Sequence, residues 1–195
     1  MVVCTLASGS KGNCLLASCG QTHILIDAGV SARRITRSLG ELGLRPEELS
    51  AVFITHGHSD HVSGLRVLSK KLRCPIWATH GTALDVGSRV PELSLSILDR
   101  PRQVGGLHID FFPTSHDAPG SVGYRVAGDG MRFVLCTDLG CLSQPVLDAV
   151  NYVFSAIMSQ EMGEIDYGEA ERLNFGTSYL PERDGCEAEF HLLGV

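Results

Sequence analysis

The stretch Thr55-His56-Gly57-His58-Ser59-Asp60-His61 packs three histidines and a carboxylate into six residues, His56 to His61. Core packing does not account for them, because each buried polar side chain needs a partner of its own. Imidazole nitrogens and carboxylate oxygens are ligands for divalent transition metals. In a turn between a strand end and a helix start, alternate residues can point to opposite sides of a small cavity. His56 and His58 can then bind one cation while Asp60 and His61 bind a second, ~3.5–4 Å away as in two-metal sites. Two later positions can complete such a pair. His116, in Ser115-His116-Asp117, sits where a strand opens into a loop, and Asp138, in Thr137-Asp138-Leu139-Gly140, follows the apolar run Phe133–Cys136. A strand-end carboxylate offers two oxygens from a rigid position and suits a bridge between metals. Alone, either residue reads as a turn residue; beside the 56–61 cluster, both read as ligands.

Such a cluster implies metal-assisted hydrolysis. Two divalent ions bring the pKa of a bridging water near neutrality and offset charge building on phosphoryl oxygens. Asp60 both binds one metal and orients the resulting hydroxide. Zinc suits the histidine-rich set, and manganese fits a site shared with carboxylates. The cluster itself specifies only a hydrolase, of a phosphodiester or of a small ester, thioester or lactone. The loop Ser8-Gly9-Ser10-Lys11-Gly12-Asn13 can expose backbone N–H groups as an anion nest for a substrate phosphate, or form a plain glycine-rich hairpin turn. It is not a P-loop, since no G-x4-G-K-[ST] is present.

These residues need strands and helices to hold them. Val2–Leu6, Cys14–Ala17, His23–Asp27, Ala51–Thr55 and Pro75–Thr79 read as strands, the first three divided by glycine-rich turns. Ser31 can cap a helix whose apolar face is Ala32, Ile35, Leu39 and Leu42. A second stripe, Val62, Leu65, Leu68 and Leu72, predicts a helix after the histidine cluster, and a short helix follows near Thr82–Arg89. Leu107–Phe112, Val122–Val126 and Arg132–Cys136 are strand-like, the last two joined by an Asp129-Gly130 hairpin turn. Gln144–Val150 reads as helix and Asn151–Ile157 as a further strand. The mixture predicts a layered α/β sandwich.

Composition agrees. With 44% hydrophobic and 19% charged residues, the chain can bury a core, which excludes disorder and coiled coil. No apolar run approaches the ~18 residues of a membrane span, and Met1–Ala7 lacks the basic flank of a secretory signal, so the chain reads as cytoplasmic. The net charge of −6 is uneven: residues 151–195 hold nine acids and two bases (−7), residues 1–150 thirteen acids and fourteen bases (+1). The main body is therefore compatible with a polyanionic substrate. The seven cysteines have no C-x2-C pair and read as buried, reduced thiols.

His56-x-His58-x-Asp60-His61, Leu25-Ile26-Asp27-Ala28-Gly29, His116 and Asp138 resemble the metallo-β-lactamase superfamily. More narrowly, Ala7-Ser-Gly-Ser-Lys-Gly-Asn13-Cys14, the 55–61 stretch, Ser115-His-Asp-Ala118 and Thr137-Asp-Leu-Gly140 resemble its WalJ/YycJ-type branch. The resemblance covers about residues 1–150 and implies an αββα sandwich with the metals at one edge of two sheets. It also implies that His56, His58 and His116 hold the first metal and that Asp60 and His61 hold the second. Asp138 would bridge the two, and Asp27 would fix the cluster loop from behind. The activity implied is that of a nuclease, a 5′→3′ exonuclease on DNA. The superfamily places a last metal-binding histidine further along, in this branch within a Ser-Asp-His-Gly-His-like stretch that this sequence lacks. His191, in Glu189-Phe-His-Leu-Leu193, does not match it. The expectation is therefore a domain over residues 1–150, then a truncated or altered acidic tail over 151–195. A weaker second metal site follows, or a metal-binding fragment without activity.

Overall fold

The computed structural model describes residues 1–151, 175–176 and 188–192. One six-stranded sheet follows chain order, β1 (Val2–Ala7), β2 (Cys14–Cys19), β3 (Thr22–Ile26), β4 (Ala51–Phe53), β5 (Ile76–Ala78) and β6 (Ser96–Ile97). Its first three strands are antiparallel, and β3 to β6 run parallel. The parallel strands are linked through α1 (Ala32–Glu41), the short α2 (Ser59–Val62) and α3 (Leu65–Leu68), and α4 (His80–Arg89). The second sheet is antiparallel. It uses β7 (Arg102–Val104), β8 (Leu107–Pro113), β9 (Val122–Gly128), β10 (Met131–Leu139), β11 (Phe175–Gly176) and β12 (Ala188–Leu192), in the order β11-β12-β10-β9-β8-β7. A last helix, α5, starts at 144 and continues to 151.

Side-chain alternation builds the layers, because successive residues of a strand face opposite sides. Leu16, Leu25, Val52 and Ile54 turn to the helices and pack with Ile35, Leu39, Leu65 and Leu68. Their neighbours Leu15, Ile24, Ile26 and Phe53 turn inward and meet Leu107, Ile109, Tyr124, Val126, Phe133 and Leu135 of the second sheet. Val134 and Cys136 face outward again and pack with Val146 and Ala149 of α5. The result is the αββα sandwich expected from the sequence.

Local signals map closely onto the elements. Ser31 Oγ accepts from Arg34 N (3.3 Å) at the start of α1. Asp129 and Gly130 have φ of 52° and 73° in the two-residue turn between β9 and β10, as a type I′ hairpin requires. The helix expected over Val62–Leu72 is instead interrupted at Ser63-Gly64. Its backbone groups are claimed by neighbouring loops: Asp60 O accepts from Asn13 N (2.7 Å), His61 O from Ala28 N (2.8 Å), and Gly64 N donates to Ala28 O (2.8 Å). β6 and β7, two and three residues long, are too short to leave a periodic pattern. The strand expected over Asn151–Ile157 is corrected at Asn151, which continues α5; residues 152–157 lie outside the described ones. Six cysteines are described and all are free thiols, but only Cys14 and Cys136 of these are buried; Cys4, Cys19 and Cys74 are half-buried and Cys141 is exposed. Among the described residues no helix is long and apolar enough to cross a membrane.

Candidate metal centre

His56, Gly57 and His58 form the turn between β4 and α2, at the end of the parallel strands, and His61 follows on α2. His116 lies just beyond β8, and Asp138 in the last turnings of β10. The two sheets thus bring these residues together from opposite sides. His58 Nδ1 and His116 Nε2 are 3.0 Å apart. His61 Nε2 is 2.7 Å from Asp138 Oδ2, and His56 Nε2 is 3.6 Å from the same oxygen. Two sets have their ligand atoms all within 4.8 Å of one another: His56, His58 and His116, and His56, His61 and Asp138. His56 stands in both. The Asp60 carboxylate lies outside both sets, beside them, with Oδ2 3.6 Å from His61 Nε2.

Asp27 anchors this arrangement from below. Its Oδ1 accepts from Thr55 N (2.8 Å), and its Oδ2 accepts from Thr55 Oγ1 (2.8 Å) and lies 2.8 Å from His61 Nδ1. Thr55 Oγ1 also sits 3.1 Å from His56 Nδ1. One buried carboxylate therefore orients both rings and leaves their Nε2 atoms to face Asp138, the arrangement that metal-ligating histidines use. The loop of residues 8–13 reaches the centre through Asn13. Its Nδ2 lies 3.0 Å from His61 Nε2, and its Oδ1 accepts from Gly9 N (2.9 Å), closing the loop on itself. Ser8, Ser10 and Lys11 are exposed at its tip.

The electrostatics are uneven. Burial, then the neighbouring His61, pushes the His56 pKa far down. Burial also disfavours a charged His61, but Asp27 and Asp138 outweigh it and push that pKa up to about 10. Burial works against the Asp138 carboxylate as well, and the hydrogen bond from His61 overrides it and lowers the pKa. His56 Nε2 is buried and lacks a hydrogen-bond partner among the described residues, 3.6 Å from the buried Asp138 Oδ2. A buried imidazole nitrogen left in this state incurs a desolvation cost, which a divalent cation between it and the carboxylate would offset. The donor set of imidazoles and carboxylates fits such a cation.

Several residues within the quoted motifs have roles that their types alone did not specify. Asn13, Thr55 and Asp117, the last with Oδ1 3.3 Å from His116 Nδ1 and 3.6 Å from His58 Nε2, are single residues of ordinary type. Ser115 clamps the His116 loop to the end of β10: its O accepts from Gly140 N (2.6 Å), and its Oγ accepts from Cys141 N (2.9 Å). His191 falls in β12 opposite Leu135, and its side chain lies outside the described residues.

Two facing sheets flanked by helices, with a histidine–aspartate cluster at one edge, define a metal-binding αββα sandwich. The chain belongs to the metallo-β-lactamase superfamily: the family described as "Beta-lactamase superfamily domain" matches residues 22–166. Its relatives include the exodeoxyribonuclease WalJ of Streptococcus pneumoniae, 32% identical over 97% of this chain and 76% of the relative. The exodeoxyribonuclease YycJ of Bacillus anthracis is 31% identical over 80% of this chain and 63% of that one. A metallo-β-lactamase from Cronobacter sakazakii shares the fold with a TM-score of 0.62 at 20% identity, covering 81% of this chain and 67% of that chain.

Proposed function

We propose that the protein is a metal-dependent nuclease that hydrolyses DNA from a 5′ end, working in the cytoplasm, where free thiols such as its six described cysteines persist. The observation that carries the reading is the pair of ligand sets sharing His56, in a relative of proteins named exodeoxyribonucleases. His56, His58 and His116 hold one divalent ion, zinc or manganese. His61 and Asp138, with Asp60 beside them, would hold a second and weaker one. When bound, these ions supply Lewis acidity toward a phosphoryl oxygen and acidify water. Asp60, with its side chain 30% exposed beside His61, orients the attacking water and takes up its proton. Asp27 keeps the His61 ring in place. Asn13 holds the 8–13 loop against the centre, where Ser10 and Lys11 at its exposed tip receive a substrate phosphate.

The test is digestion of single- and double-stranded DNA labelled at the 5′ or the 3′ end, with zinc or manganese, with chelator, and with His58→Ala. Early release of the 5′ label, abolished by chelator and by the substitution, is the expected result. Intact DNA beside hydrolysis of a thioester, lactone or small phosphodiester transfers the site to a small-molecule substrate. Intact substrates throughout, with metal retained, leave a metal-binding protein without hydrolytic activity.

A further inference from the structure

We infer that Arg89, at the end of α4, is a positioning residue for the metal centre: its guanidinium grips the peptide of Gly57 and so sets His58 against His116. Arg89 Nη2 donates to Gly57 O and to Asp85 Oδ2 (2.6 Å), while Nε donates to Asp85 O (3.4 Å). The fork thus ties the carbonyl between His56 and His58 to one helix. Gly57 is buried against this pair, and a Cβ there would overlap Asp85 Oδ2 and come within 2.8 Å of Arg89 Nη2. The glycine between the two histidines is therefore the space the pair occupies.

The other end of α4 holds the partner loop. Thr79 Oγ1 donates to Gly120 O (2.7 Å) and Thr82 Oγ1 to Pro119 O (3.2 Å), a few residues past His116. One helix therefore splints both loops whose histidines meet at 3.0 Å. His56 has Thr55 behind its ring. Among the described residues the polar neighbours of the His58 ring are His116 and Asp117, on the far side of the centre, so its backbone is what has to be held. An exposed i,i+4 ion pair contributes little to stability by itself. Arg89 is 45% exposed in its side chain and Asp85 29%, so the pair matters for where it places Gly57.

The inference rests on the metal-centre reading above, and the experiment separates the two. Zinc affinity by chelator competition and the visible absorption of cobalt-loaded protein are measured for wild type, His58→Ala, Arg89→Ala, Arg89→Lys, Gly57→Ala and the Gly57→Ala/Arg89→Ala double variant. Supports of this kind cost ~10–100-fold in metal affinity when removed. Arg89→Ala should fall in that range with an altered cobalt spectrum, while the melting point of the metal-free protein stays near wild type. Arg89→Lys, with one donor centre instead of a fork, should fall between. Gly57→Ala displaces the same pair, so the double variant should be no weaker than the worse single one. Wild-type affinity and spectrum in Arg89→Ala overturn the inference. So do additive losses in the double variant, or a lower metal-free melting point with an unchanged spectrum. His58→Ala retaining its metal defeats the metal-centre reading; His58→Ala losing it while Arg89→Ala keeps it defeats only the positioning role.

Discussion

Asp27 and Asp138 both hold left-handed backbone, with φ of 63° and 52°. Aspartate tolerates this region better than most residues, and such conformations gather where a site must aim a side chain. Both carboxylates turn toward His61, but only Asp138 also approaches His56. Asp138→Ala should therefore lower metal content, read by elemental analysis after dialysis, at least as much as Asp60→Ala. Equal retention of metal in Asp138→Ala would make it a turn residue only. The thiols give a second check. Burial pushes Cys136 up to about 12 and Cys14 higher still, whereas Cys141 is exposed. Thiolate is the reactive form, so alkylation of native protein followed by peptide mass mapping should label Cys141 first and leave Cys14 and Cys136 until unfolding. At this scale the ligand types and spacing were readable, since three histidines and an aspartate in six residues have few other uses. Asp85 and Arg89 were not, because each is a common residue that gains its role only when distant loops meet.

At the scale of elements, strands were legible where an apolar run or alternation lasted four residues or more, as in β2, β8 and β10. They were lost in β6 and β7, where two or three residues leave no period. The helix after the histidine cluster was legible as an apolar stripe, yet its break was not, because loop backbones rather than side chains compete for its carbonyls. Between the sheets, Tyr124 is fully buried and its hydroxyl donates to Ile54 O (2.7 Å), directly before Thr55. That bond ties the second sheet to the strand that delivers the histidines. Tyr124→Phe leaves a buried carbonyl unpaired at a cost of about 1–3 kcal/mol, which should lower the melting point by several degrees. An unchanged midpoint by calorimetry would mean that the carbonyl finds another partner.

At the scale of the whole molecule, bases gather on the helices over the first sheet and in the turns beside them. Lys11, Arg33, Arg34, Arg37, Arg66, Lys70, Lys71 and Arg73 are eight of the 16 lysines and arginines, all in or beside the helical layer over the first sheet. Arg33 and Arg37 share a face of α1, and Lys71 Nζ lies 3.5 Å from Thr36 Oγ1 on that helix. If DNA crosses this layer, each lost phosphate contact should reduce the salt slope of single-strand binding by ~0.7. Fluorescence anisotropy with chelator present should show that reduction in Arg33→Ala and Lys71→Ala, and unchanged slopes would send the strand elsewhere. The two sheets also divide the chain in time. β6 ends at Ile97 and β7 begins at Arg102, so a ribosome finishes the first sheet, with Asp27, His56, His58 and His61, before it starts the second, with His116 and Asp138. Neither half carries a complete ligand set, and a cation can be gripped fully only after the halves have closed. The ion is then a latch fitted last, over a seam where Val122 N meets Thr55 O at 3.1 Å, and its removal should first be felt there, as faster amide exchange along that line.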